Sequence, residues 1–346
     1  MSERAARNWG LDLVRVTEAA ARCAGRWMGL GKRDEADLDT IDAMAEALNA
    51  IDMSGYIVVG EEGKLGVHSL LESGRTIGSG NGPELDVVVD PIDGRNLLAQ
   101  GHPGAIAVAA VAPRGSMWSP RSAVYMDKIV VGRDAASALV AECMDAPAAW
   151  MLALVARVTQ KEIRDLVVFV LDRPRHTALV EEIRQAGARV MLRTDGDIAG
   201  ALMAASPGSG VDVLLGIGGV PEGVIAACAV KALGGAMLGR LAPQSEAERA
   251  ALAAAGLVTR RILSSDELIA GEQVFFAATG ITDGPLLTGV RYHGERAETH
   301  SLILRADTGS RRVMYAEHVS TERAMDSAGR SAQGDIYDQH DRHRGR

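Results

Sequence analysis

Residues 211–235 read VDVLLGIGGVPEGVIAACAVKALGG, and their reading decides the fold. The first nine, VDVLLGIGG, form a short apolar run of strand length. Pro221 then opens a helical stretch that ends on Gly234 and Gly235, the order in which proline and glycine favour helix ends. Two similar units precede this one. DLVVFVLD (165–172) reads as a strand before the helix HTALVEEIRQAG, and ARVML as a strand before the helix GDIAGALMAA. Such alternation predicts a parallel sheet covered by helices.

Further toward the N-terminus the pattern changes. Leu13, Val16, Ala20, Cys23 and Trp27 recur at helical spacing, so 10–30 reads as an amphipathic helix. GLGKRDEAD follows as a charged loop. A second helix is expected from about Leu38 to Ala50, with Leu38, Ile41, Met44 and Leu48 on one face and Asp37 at or near its N-cap. Four strands come next: GYIVVGEE, LDVVVD, AIAVAAVA (105–112) and KIVVG (128–132). After the second half's strand–helix units, a polar helical stretch, APQSEAERAALAAAG, leads to strands in QVFFAATG, HSLILRAD and RRVMYAEH. The expected organisation is an α+β lobe over 1–150, an α/β lobe over 151–320 and a disordered polar tail over 321–346.

Composition narrows the function. A chain of 346 residues buries a large core, and with aromatics at 3% that core must be aliphatic. The net charge of −8 argues against a general nucleic-acid binder, yet leaves room for a small phosphorylated ligand held by a few arginines. Cys23, Cys143 and Cys228 are too far apart for a metal-ligand motif. No run approaches the length of a membrane span, and the N-terminal residues carry no export signal, so the expected location is the cytoplasm, away from membranes.

The candidate chemistry lies at the edges of these elements. LDVVVDPIDGRNLL (85–98) reads as a buried strand running into a loop with two carboxylates, Asp90 and Asp93. Hard divalent cations take such oxygen ligands. Asp37, Glu61 and Glu222 also stand at element edges. Each has an ordinary reading too: Asp37 as a helix cap, Glu61 as a solvated turn residue, Asp-Pro-x-Asp-Gly as a common turn. Glu222 follows the GIGG turn at a helix start, where backbone N–H groups favour an anion. Arg173 and Arg175 in DRPRH suit a sugar phosphate, or are surface charge. Asp195 and Asp197 in TDGD either take sugar hydroxyls or cap the next helix. DRPRH, TDGD and GIGGVPEG all sit at strand C-termini, where a parallel sheet forms its ligand crevice.

With these residues collected, the chain resembles the class II (GlpX-type) fructose-1,6-bisphosphatases, including the bifunctional fructose/sedoheptulose bisphosphatases, from about Leu11 to His318. RVTEAAA, VVVDPIDG, YMDKIVVG, RPRH, DGDIA, DVLLGIGGVPEGV and ATGIT carry the likeness. It implies the α/β/α/β/α fold of the lithium-sensitive, metal-dependent sugar phosphatases and a homo-oligomer, dimer or tetramer. The implied reaction is removal of the 1-phosphate of fructose 1,6-bisphosphate by a water activated by Mn2+ or Mg2+. Asp37 and Glu61 would hold one metal, and Asp90, Asp93 and Glu222 another. Asp93, Gly94, Arg95, Tyr125, Arg173, Pro174, Arg175, Asp195, Gly196, Asp197 and Gly219 would bind the sugar phosphate. Catalysis would turn on Asp37, Glu61, Asp93 and Arg95.

The chain departs from the family pattern in three places. GEEGKLGVH keeps Glu61 but has Gly63 where the family's second Glu stands, and lacks the D-E-A-P segment. Arg173 replaces a usual lysine. In DPIDGR, Asp93 replaces Glu and Arg95 replaces the threonine of D-P-I-E-G-T. Arginine stays protonated and is no base. Arg95 therefore either binds a phosphate directly, that of a different substrate included, or occupies the second metal's space; an active phosphatase, on the usual or an altered sugar phosphate, and an impaired paralogue that binds sugar phosphate or an active subunit without turnover are both open readings.

Overall fold

In the computed structural model, which describes residues 8–61, 68–118 and 123–319, the chain opens with α1 (Trp9–Ala24) and α2 (Arg33–Asn49). Strands β1 (Ser54–Val59), β2 (Thr76–Ile77) and β3 (Glu84–Asp93) follow, then the short α3 (Arg95–Gln100) and β4 (Ile106–Pro113). After β5 (Tyr125–Val131) and α4 (Ala148–Thr159) come β6 (Val167–Leu171), α5 (Thr177–Gln185), β7 (Arg189–Arg193), α6 (Asp197–Ala205), β8 (Val213–Gly219) and α7 (Val220–Leu233). The chain continues through β9 (Ala236–Leu241), α8 (Glu246–Ala254), β10 (Ile262–Ser264) and α9 (Ser265–Leu268). It ends in four strands, β11 (Phe275–Gly280), β12 (Arg291–His293), β13 (Arg296–Arg305) and β14 (Ser310–Val319).

These strands make two sheets. The first is ordered β12-β13-β11-β4-β3-β1-β2, with β14 paired to β13. The second is ordered β10-β9-β5-β8-β6-β7. Sheet membership does not change at residue 150: β5 belongs to the second sheet, and β11 to β14 return to the first. The second sheet is also not the all-parallel sheet its strand–helix alternation predicts. β6 is parallel to β7 and β8, but β5 runs antiparallel between β8 and β9. The alternation reveals only the three strands joined by crossover helices. It is silent about β5, which arrives from before those units, and about β9, whose glycine-flanked run follows α7 directly.

Alternate strand residues feed three separate cores. In β4, Ala107, Ala109 and Val111 pack with α1 and α2, while Ile106, Val108 and Ala110 pack on the opposite face. In β8, Leu214 faces the same central core, and Val213 and Leu215 join an outer core with α4 and α5. This is the period of two of a strand buried on both faces. Helices α6 and α7 lie between the sheets, and α6 is buried at every residue. A helix apolar all round is what a middle layer requires. The layering is therefore α/β/α/β/α, as the family resemblance implies.

Two local readings are corrected. Helix α2 begins at Arg33, not Leu38, so Asp37 lies inside it, and Lys32 is at the N-cap. The charges in GKRDEAD suggest a loop, yet Asp34 and Glu35 in a first turn favour the helix dipole. Its buried face is Ala36, Asp37, Thr40, Met44 and Leu48, whereas Leu38 is exposed. Likewise, Asp90 and Asp93 are not on a loop: β3 runs through both. The expected disordered tail lies outside the described residues. Among the described residues, no helix is long and apolar enough to cross a membrane.

Candidate active site

The end of β3 creates the site's first half. Against β4, Asp90 pairs with Val108 and Asp93 with Ile106, so three steps on β3 match two on β4. A bulge of one extra residue bends the strand and turns its side chains. In regular pleating, Asp90 and Asp93 would face opposite sides; here both line one cavity. Asp90 Oδ1 accepts the Ile92 N–H at 2.9 Å, which fixes the bulge. Gly94 then turns with φ +104°, where a side chain would be strained, and delivers Arg95 as the first residue of α3.

The second half comes from the middle helices and the second sheet. Helix α6 places Asp197 at its first residue, and α7 places Glu222 in its first turn. The adjoining glycines have a steric reason. A Cβ on Gly218 would stand 1.9 Å from Asp197 Oδ2, and one on Gly219 would stand 1.7 Å from Glu222 Oε2. The GIGG turn thus makes room for carboxylates, a role distinct from the anion approach expected of it.

Twelve of the sequence-selected residues line one cavity of ≈ 340 Å³: Asp90, Asp93, Gly94, Arg95, Tyr125, Arg173, Arg175, Asp195, Gly196, Asp197, Gly219 and Glu222. Pro174 is not on its wall; it starts the turn between Arg173 and α5. Asp37 and Glu61 stand behind Arg95. The Arg95 Nη1 donates to Asp37 Oδ2 at 2.8 Å and lies 3.7 Å from Glu61 Oε2. Burial works against its charge, but Glu61 and Asp37 more than offset that, so its pKa is raised. The altered segment at 62–67, beyond Glu61, lies outside the described residues.

Neither acid of TDGD caps α6, whose N-cap is Gly196 with no side-chain bond. Asp195 instead joins the two halves: Oδ1 accepts Arg173 Nη2 at 3.2 Å, and Oδ2 accepts the Asn96 N–H at 3.1 Å. Arg175 lies 5.1 Å over the Tyr125 ring and donates twice to the Ile217 carbonyl, from Nε at 3.2 Å and Nη2 at 2.8 Å. Both arginines are therefore held in place on the cavity wall before any ligand arrives.

Two supporting residues escape sequence reasoning. Lys128 is 1% exposed and forms an ion pair with Asp197. The available signal is its alternation with Met126 and Val130, which puts a lysine on the buried face of β5 and calls for an acid partner. His176, the last residue of RPRH, is also buried. The Ile217 N–H donates to its Nε2 at 2.8 Å, so its proton sits on Nδ1 and goes to the Leu171 carbonyl at 2.7 Å. Burial lowers its pKa, in keeping with this neutral form.

The cavity's electrostatics are unbalanced. Five lining carboxylates face three guanidinium groups. Asp90 is pushed well above the usual carboxylate range by burial and by Glu61, Asp93 and Glu222 beside it. Asp93 is raised by burial although the Ala199 N–H donates to its Oδ2 at 2.8 Å. Glu222 is raised by burial and by Asp197, and among the described residues its buried Oε2 has no hydrogen-bond partner. Such a group of hard oxygen donors, in excess over the positive charges beside them, fits a divalent cation. Among the described residues, however, no three acidic, histidine or cysteine side chains are gathered in a ready-made metal shell.

A five-layer α/β fold with arginines opposite a buried acid cluster is the arrangement that the family resemblance leads one to expect. Residues 7–318 match the family model described as "Bacterial fructose-1,6-bisphosphatase, glpX-encoded", and the chain belongs to that family. It is 38% identical to a Synechococcus sp. (strain JA-3-3Ab) protein named D-fructose 1,6-bisphosphatase class 2/sedoheptulose 1,7-bisphosphatase, over 90% of this chain and 95% of that one. It is 36% identical to the fructose-1,6-bisphosphatase class 2 of Haemophilus influenzae, over 89% of this chain and 95% of the relative.

Two outcomes follow from this geometry. Lys128→Met leaves Asp197 buried without its cation and should destabilise the fold by about 3–5 kcal/mol, read from urea midpoints; Lys128→Met with Asp197→Leu should recover much of the loss. Asp90 in the metal-free protein has a folded pKa above its unfolded one, so its contribution is fully present below the unfolded pKa and lost as pH rises through the folded one. Asp90→Asn keeps the acceptor for Ile92 and removes the repulsion. Its Tm should exceed the parent's by about 2 °C near neutral pH and converge with it in acid; equal differences at both ends would contradict this.

Proposed function

We propose that this chain removes a phosphate from a sugar bisphosphate of the fructose 1,6-bisphosphate or sedoheptulose 1,7-bisphosphate type. The observation that carries the reading is the single cavity in which Arg173 and Arg175 face the end of β3 and the start of α7, in a chain of this family. Arg175, stacked on Tyr125 and tethered to Ile217, presents a fixed positive charge to a phosphate. Asp195 aims Arg173 the same way and ties it through Asn96 to α3.

Five acids around a bound bisphosphate would repel it, so this reading requires an added cation. Asp90, Asp93 and Glu222 would hold Mn2+ or Mg2+. When bound, that ion would neutralise phosphoryl charge and ease ionisation of a water. The protein's own part is positional. The bulge aims Asp90 and Asp93, the Ala199 amide fixes Asp93, and the glycine pair leaves space for Glu222. Arg95, held protonated by Asp37 and Glu61, takes no proton from water.

A cytoplasmic homo-oligomer, dimer or tetramer, belongs to the same reading. Strand β14 supports assembly, since it pairs only with β13 among the described residues and exposes Val313, Tyr315 and Val319.

The test is phosphate release from fructose 1,6-bisphosphate, sedoheptulose 1,7-bisphosphate and a panel of sugar monophosphates, with Mn2+ or Mg2+. Release from a bisphosphate is expected, and Arg173→Ala should raise KM by about 10–100-fold, the worth of a charged hydrogen bond. No release from any sugar bisphosphate with either metal would overturn the reading.

A further inference from the structure

Arg95 reaches Asp37 and Glu61 from a third element. Asp37 is inside α2, Glu61 follows β1, and Arg95 begins α3. The two acids are largely buried, at 10% and 19% side-chain exposure, and the guanidinium is one-third exposed at the cavity wall. Two carboxylates from separate elements, brought together away from bulk water, need a cation between them. Here one nitrogen of Arg95 supplies it, 2.8 Å from Asp37 Oδ2 and 3.7 Å from Glu61 Oε2.

That placement conflicts with a metal at the same pair. Mg2+ needs its oxygen ligands at about 2.0–2.1 Å in near-octahedral order, with room for several waters. An ion that close to Asp37 Oδ2 and Glu61 Oε2 would overlap the guanidinium nitrogen already there, and two like charges would share one small space. The residues present at Asp37 and Glu61 therefore do not fit the metal that the family resemblance implies for them. On the other side of Arg95, Asp90 and Glu222 feel its charge only at longer range, and among the described residues Asp90, Asp93 and Glu222 form no ion pair and Glu222 Oε2 has no hydrogen-bond partner.

We propose that the Arg95 guanidinium is the permanent cation of the Asp37–Glu61 pair, standing where a divalent ion would otherwise bind, so that metal enters this protein only on the Asp90–Asp93–Glu222 side. The proposal rests on reading the cavity as a cation-assisted phosphate-ester site. A fixed guanidinium balances the same acids but ionises no water, exchanges with nothing in solution and does not respond to chelators. The chain would thus be wired for fewer metal ions than its acid count suggests.

Manganese binding by the full chain, without substrate, tests this by calorimetry and by electron paramagnetic resonance of free Mn2+. Arg95→Thr should bind about one Mn2+ per chain more than the parent. Asp37→Asn in the parent background should leave the count unchanged, and Asp37→Asn added to Arg95→Thr should remove the extra ion. The proposal is overturned if Asp37→Asn lowers the parent's count, or if Arg95→Thr gains no ion. Should Arg95→Thr fail to fold, as judged by circular dichroism, Arg95→Met keeps the side-chain length without the charge and carries the same expectation. Phosphate release measured in parallel separates the two readings. Correct counts without turnover would sink the proposed function alone, and turnover with the wrong counts would sink the role of Arg95 alone.

Discussion

The Asp93 carboxylate joins the first sheet to the middle layer. Its Oδ2 accepts the Ala199 N–H from the first turn of α6, and the same turn carries Asp197, which is paired with Lys128 of the second sheet. Sheet, helix and sheet are thus linked through buried charge within a few residues. Apolar packing alone would let two such layers slide, because alanine-rich faces offer little to interlock. Directional hydrogen bonds to buried acids do not permit that freedom, since a misplaced partner leaves a costly unpaired group. The layering and the cavity therefore share one cause, and the cavity opens where those acids lie.

The same acids make the site unstable on its own. Burial and neighbouring acids raise three carboxyl groups there, although Asp90 and Asp93 each accept a backbone N–H. On the proposed function, a cation from solution would supply the missing positive charge. Arg95 divides that demand in two. On its inner side Asp37 and Glu61 are satisfied within the fold; on its outer side Asp90, Asp93 and Glu222 are left for something from solution. The arginine at the first residue of α3 thereby stands between the two groups of acids that the family resemblance assigns to two separate metals.

Much of this was legible beforehand. The acids at 90, 93 and 222 and the arginines at 173 and 175 stand where short apolar runs end in polar turns, the strand ends and helix starts at which such folds gather ligands, whereas the five-layer order is implied by the family resemblance alone. What escaped was long-range. The bulge at Asp90 depends on the register against β4, which no local pattern reveals. The start of α2 was hidden because a charged first turn looks like a loop by composition. Lys128 looked like an ordinary strand residue until the face it shares with Met126 and Val130 proved to be interior. The second sheet's antiparallel members come from segments outside the repeating units, so periodicity within those units had no information about them.

Arg95 shows the limit most clearly. Read alone, the residue allows both a phosphate contact and a metal's place, since a guanidinium suits either anion. Geometry discriminates by reach. A side chain leaving the first residue of α3 passes between the cavity and α2, and Gly94's left-handed turn sets that direction. From there its nitrogen meets Asp37 directly, and burial of the acids makes that pairing stronger than an exposed one. A phosphate in the cavity would have to draw the guanidinium away from two largely buried carboxylates. Separating a largely buried carboxylate from its partner is strongly unfavourable, whereas Arg175 on the same cavity wall is held by the uncharged Ile217 carbonyl and Tyr125 ring. On the proposed function, the balance of these costs gives the phosphate to Arg173 and Arg175 and leaves Arg95 with the acids behind it.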